Sequence, residues 1–100
     1  MIKSSGFRIS PTEVEEVLFQ SGIVSEAAVI GILDGALGHV IKAYVAARDG
    51  ESVNPDTLLS FCAGKMPRYM IPKTVEVVKT LPKTPSGKVD YPALRRREGL

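Results

Sequence analysis

Two apolar runs do most to limit what this chain can fold into. Residues 27–33 (AAVIGIL) and residues 40–48 (VIKAYVAAR) are separated by the turn-like Asp34-Gly35-Ala36-Leu37-Gly38. Short apolar runs bounded by aspartate and glycine read as strands, and the brief break between them makes the pair a hairpin. In the second run Ile41, Ala43, Val45 and Ala47 alternate, which places them on one face. A sheet with an apolar face must be covered, and the flanking segments have to supply the cover.

Those segments carry helix signals. Ser10-Pro11-Thr12-Glu13 starts a helix: Ser10 can cap it, Pro11 suits its first position and Glu13 can complete a capping box. Val14, Val17 and Leu18 share one face of it, and Gly22 is placed to stop it. Asn54-Pro55 starts a second helix with an apolar stripe through Leu58, Leu59, Phe61 and Cys62, which must stop near Pro67. Residues 73–78 form a third strand rich in β-branched side chains. Asp90 caps a short basic helix that runs through Arg97, and residues 1–9 read as a hairpin or loop turning at Ser4-Ser5-Gly6. The expected class is therefore α+β: a small sheet, made of an N-terminal hairpin and about three strands, covered by two or three helices.

A chain of 100 residues is one domain, long enough to bury a core without disulfides or metal. The single cysteine, Cys62, lies on a helical apolar stripe and reads as core; its isolation suits a reduced, cytoplasmic compartment. A net charge of +2, without interleaved basic and aromatic residues, argues against nucleic acid. No apolar run reaches the roughly 18 residues of a membrane span, and the N-terminus lacks the pattern of a signal peptide. No metal-ligand pattern occurs, and His39 has no catalytic partner in the sequence.

The stretch richest in chemistry is Leu81-Pro82-Lys83-Thr84-Pro85-Ser86-Gly87-Lys88. Two prolines and a glycine fix an irregular backbone and set a cation, Lys88, at its edge, which suits holding a phosphate or carboxylate. It is not a phosphate loop of the Walker type: Pro82 stands where that motif has glycine, and Val89 stands where it has serine or threonine. Taken alone, Ser86-Gly87-Lys88 reads more readily as a solvated surface turn with an exposed lysine.

The wider context gives the loop its meaning. Residues 81–90 resemble the terminal signature of the adenylate-forming superfamily, which includes acyl-CoA synthetases, adenylation domains of peptide synthetases and beetle luciferases. Residues 1–15 (MIKSSGFRISPTEVE) resemble the segment just after the interdomain hinge of those enzymes. A weaker third match is Lys65-Met66-Pro67-Arg68-Tyr69-Met70-Ile71-Pro72. The resemblance covers essentially the whole chain. It is stronger to acyl-CoA synthetases than to carrier-loading domains, because of the Lys3-Ser4-Ser5-Gly6 form.

The resemblance implies that residues 1–100 are the C-terminal lid domain of an AMP-forming acyl-CoA ligase, whose large N-terminal domain binds ATP, magnesium and the carboxylic acid. Lys88 would reach the acid and the α-phosphate during formation of the acyl-adenylate. After a rotation, Gly6 would border the channel for the pantetheine arm of CoA. Ser5 would contact CoA, and Lys3 and Arg8 would face the active site in that second state. ATP and CoA are thus substrates, Mg2+ is expected in the full enzyme but not on this domain, and the domain alone is expected to be inactive. The third-match residues Lys65 and Arg68 and the run Arg95-Arg96-Arg97 are open candidates for the CoA 3′-phosphate; the arginine run also fits a helix end complementing its own dipole. Two other readings stay open: an adenylation domain that loads a carrier protein, and a freestanding anion-binding module.

Overall fold

The computed structural model describes residues 2–4, 7–34 and 38–99. The chain runs β1 (Ile2–Ser4), β2 (Phe7–Ile9), α1 (Pro11–Gln20), β3 (Val24–Asp34), β4 (Gly38–Ala47), α2 (Pro55–Ala63), β5 (Thr74–Val77) and α3 (Tyr91–Arg97), with a 3-10 turn at Arg68–Met70. This is the expected small α+β domain. The antiparallel pair β3–β4 is its spine, in register from Val24↔Ala47 to Asp34↔Gly38, with a bulge between Val24 and Glu26. β5 lies parallel to β4, from Lys42↔Thr74 to Val45↔Val77. A parallel neighbour needs a crossover, and α2 lies within it. The β1–β2 hairpin joins β4 at the pair Ser4↔Gly38.

β3 and the start of β4 extend beyond the runs read from sequence, because the paired backbone continues past the apolar residues, whereas β4 stops one residue short of Arg48 and β5 covers only Thr74–Val77 of the expected 73–78. Helix boundaries follow their local signals more closely. Asn54 caps α2 by accepting from Asp56 N–H at 2.9 Å and Thr57 N–H at 3.3 Å. Asp90 caps α3 by accepting from Ala93 N–H at 3.1 Å. The Ser10 capping box does not form: Ser10 is the residue before α1, but its side chain makes no capping hydrogen bond. α2 ends at Ala63, before Pro67 forces it to, because the chain turns at Gly64.

The sheet is buried on both faces. On one face Ile41, Ala43 and Val45 pack with Val14 and Leu18 of α1, Leu58 and Cys62 of α2, and Ile2 and Ile9 of the hairpin. A Cβ on Gly31 would come within 3.1 Å of the Ile2 side chain, so the bare backbone there lets the hairpin seat against β3. On the other face Ala28, Ile30 and Tyr44 pack under Leu81 and Leu94, with Val89 and Tyr91 at the margin. Alternation in β4 marks only the first of these faces. The second is covered by the loop and helix at the C-terminal end, and the near-continuous apolar run in β4 is the pattern of a strand buried on both sides.

Candidate functional site

The residues 84–88 form a tight turn on a short hairpin stem. Gly87 N–H donates to Thr84 O at 2.9 Å, and Thr84 N–H donates to Lys88 O at 2.7 Å. The Thr84 hydroxyl lies 2.9 Å from that of Ser86 and accepts from Lys88 N–H at 3.3 Å. Gly87 has φ 85°, in the region that favours glycine. Below the turn, Lys83 bridges Val89, and Asp90 N–H donates to Pro82 O at 2.9 Å. Lys88 thus stands on a closed loop, exposed, and none of the ion pairs among the described residues involves it.

The stem is fastened to the body at two points. Lys83 pairs with Glu26 of β3, whose other oxygen accepts from the Thr80 hydroxyl at 3.3 Å. The hydrogen bond from Lys83 holds the Glu26 carboxyl below the usual carboxylate range. At the second point Tyr91 Oη donates to Glu15 Oε2 at 2.6 Å, and the same oxygen accepts from Val29 N–H at 2.8 Å. Burial, then the hydrogen bond to Glu15, pushes the Tyr91 hydroxyl above the usual phenol range.

The hairpin at the other end of the chain carries the second set of candidates. Lys3 and Arg8 stand directly opposite each other in the β1–β2 register, and both are exposed. Like charges in a cross-strand pair repel, so this arrangement is suited to an anion between or above them. Ser5 and Gly6 lie outside the described residues. Phe7 stacks on Tyr69 with ring centres 4.0 Å apart and planes 9° from parallel. The stack walls an open groove of about 460 Å³, which Arg68 and Lys73 also line.

Lys88 and the Lys3–Arg8 pair stand on different elements. The hairpin is rooted in the core face covered by α1 and α2 through Ile2 and Ile9, whereas Leu81 and Val89 root the Lys88 loop in the opposite core.

A charged network unforeseen in the sequence fixes the end of α3. Lys42 reaches Glu98 at 2.6 Å and Glu76 at 3.1 Å, Arg97 reaches Glu76 at 2.6 Å, and Tyr44 donates to Glu98. Burial works against the Lys42 charge, but the hydrogen bonds to Glu98 and Glu76 outweigh it and lift its pKa above the ordinary lysine range. Arg97 is thus committed to Glu76, while Arg95 and Arg96 remain at the helix end. Glu15 and Tyr91 were also missed: they lie 76 residues apart and no local spacing links them. Cys62 is buried, as its place on the α2 stripe implies.

Among the described residues no three His, Cys, Asp or Glu side chains converge on a possible metal position. No helix among them is long and apolar enough to cross a membrane.

Comparison with known proteins identifies the class. Residues 13–88 match the model of the AMP-binding enzyme C-terminal domain, and the chain belongs to that family. Feruloyl-CoA synthase of Amycolatopsis is 41% identical over 99 residues, covering 99% of this chain and 20% of that protein. The long-chain-fatty-acid–CoA ligase of Salmonella typhimurium is 37% identical over 89 residues, covering 89% of this chain and 16% of its own length. Among solved structures, the fatty acyl CoA synthetase of Mycobacterium tuberculosis superposes with a TM-score of 0.88 at 35% identity, over 97% of this chain and 19% of that one. ATP-bound MatB from Rhodopseudomonas palustris superposes with a TM-score of 0.91 at 28% identity, over 97% of this chain and 19% of that one. The chain thus corresponds to a fifth or less of the length of these relatives.

Proposed function

We propose that residues 1–100 act as the mobile C-terminal lid of an AMP-forming acyl-CoA ligase, working against a large N-terminal domain that holds ATP and the carboxylic acid. The observation that carries this reading is the match of residues 13–88 to the AMP-binding enzyme C-terminal domain, together with two candidate sets that stand on separately rooted elements, the 84–88 turn and the β1–β2 hairpin. Lys88 is rooted in one core face of the sheet and the Lys3–Arg8 hairpin in the other. A rotation of the domain between two half-reactions uses each in turn.

In the first half-reaction the acid attacks the α-phosphate of ATP, forming an acyl-adenylate and releasing pyrophosphate. Lys88 supplies a positioned ammonium to the carboxylate and α-phosphate as negative charge is redistributed, acting as a charge and not as a base. A preorganised group of this kind contributes about 3–4 kcal/mol in a closed, water-poor site. In the second half-reaction the CoA thiol attacks the acyl carbon and AMP leaves. Gly6 keeps the pantetheine path open, Ser5 contacts CoA, Lys3 and Arg8 face the active site, and Arg8 meets phosphate. Magnesium accompanies ATP on the other domain. The buried free thiol of Cys62 suits a cytoplasmic setting.

The test is an assay of the full-length enzyme across a panel of carboxylic acids. Thioester formation should require ATP and CoA and release AMP and pyrophosphate. Transfer to a carrier-protein thiol in place of CoA would move the reading to a carrier-loading enzyme. Release of ADP would contradict it.

A further inference from the structure

We propose that Tyr91 and Glu15 are positioning residues for Lys88: their hydrogen bond clamps the stem of the 84–88 turn to α1 around the edge of the sheet, and so sets where the ammonium stands during adenylate formation. This rests on the reading of Lys88 above.

A lysine side chain is long and has many rotamers, so the placement of its ammonium depends on how firmly its Cα is held. The turn is closed by its own hydrogen bonds, so it moves as a unit about its attachments. Among the described residues there are two of these outside the apolar packing. The Lys83–Glu26 pair is partly exposed, at 38% and 24% for the two side chains, and exposed ion pairs hold geometry weakly. The Tyr91–Glu15 bond is charge-assisted and short, at 2.6 Å, and Tyr91 lies only three residues beyond Lys88. Glu15 is itself fixed. Its Oε2 also accepts from Val29 N–H at 2.8 Å, on the edge of β3 that faces away from β4. The carboxylate thereby registers the stem against the sheet backbone. It also ties the loop to the helix that carries the Glu13-Val14-Glu15 signature, whose apolar side packs in the opposite core.

The experiment uses the full-length enzyme and reads the half-reactions separately: acid-dependent pyrophosphate exchange, and thioester formation from supplied acyl-adenylate. Tyr91→Phe keeps the ring and removes the hydroxyl. It should lower pyrophosphate exchange about 10- to 100-fold, the scale of a small misplacement of a reacting group, and leave thioester formation unchanged. In the Lys88→Ala background Tyr91→Phe should add no further loss, because it acts through Lys88. Glu15→Gln, which keeps a carbonyl acceptor, should give a smaller loss in the same half-reaction, and it serves as the readout if Tyr91→Phe does not fold. Intact exchange in the folded variants, an equal fall in both half-reactions, or full additivity with Lys88→Ala would overturn the proposal. If Lys88→Ala cripples exchange while the two clamp variants do not, only the clamp is lost. If Lys88→Ala leaves exchange intact, the reading of Lys88 falls and the clamp falls with it.

Discussion

Tyr91 donates its phenolic hydrogen to Glu15 across 2.6 Å, and the two residues belong to helices whose buried side chains pack on opposite faces of the sheet. The bond passes around β3, where Val29 N–H shares the same carboxylate oxygen. It joins the helix of the first signature segment to the stem of the second. The two segments are thus mechanically linked although their candidate functional groups are rooted in different cores.

The conformation of Gly87 gives a first prediction. Its φ is 85°, and a Cβ there would meet nothing within 4 Å, so substitution strains the torsion without a clash. Gly87→Ala should cost the turn about 1–2 kcal/mol. In the full-length enzyme that corresponds to a fall in pyrophosphate exchange of up to roughly 5- to 30-fold. Gly87→Asn should lose less, since asparagine enters the left-handed region more readily. Equal losses in the two variants would show that the Gly87 site is constrained by space and not by φ.

The hairpin supplies the complementary prediction. Gly6→Leu should leave pyrophosphate exchange largely intact and suppress CoA transfer from supplied acyl-adenylate, because the side chain would fill the path of the thiol. Unchanged transfer would remove Gly6 from the channel.

The charged network around α3 predicts an acid response. The hydrogen bonds from Lys42 and then Tyr44 hold the Glu98 carboxyl below its ordinary range, as Lys83 does for Glu26. A carboxyl with a depressed folded pKa stabilises the fold above its unfolded value, about 4.5, and that contribution disappears as pH falls through the folded value. Thermal melts of this chain should therefore fall away below about pH 4.5. Lys42→Met should flatten that acid slope and cost about 1–3 kcal/mol in denaturant titrations at neutral pH, by leaving Glu98 and Glu76 without their shared cation. An unchanged acid slope in the variant would place the titration elsewhere.

Much of the fold was legible because its signals are local. Asn54 and Asp90 cap the helices they precede, and Asp34 and Gly38 pair at the ends of two strands whose apolar runs announced them. Ser10 reads as both helix start and cap, and only the start holds, since whether its hydroxyl reaches a backbone N–H depends on geometry that composition does not set. The second core was hidden for a different reason. Tyr44 lies between Ala43 and Val45, and only the fold of the tail over it, through Leu81 and Leu94, tells which face it enters. Of the candidate site, Lys88 was marked by its prolines and glycine. Glu15 was visible only as part of a signature, and Tyr91 only as the residue after a cap. Their bond spans 76 positions, and no periodicity encodes it.

Lys88→Ala in the full-length enzyme, with both half-reactions measured on one preparation, tests the role of Lys88 in adenylate formation most directly. Acid-dependent pyrophosphate exchange should fall about 10²- to 10³-fold, the scale of losing one preorganised charge-stabilising group. Thioester formation from supplied acyl-adenylate should stay close to wild type. An equal fall in both half-reactions, or intact pyrophosphate exchange, would contradict the assignment of Lys88 to adenylate formation.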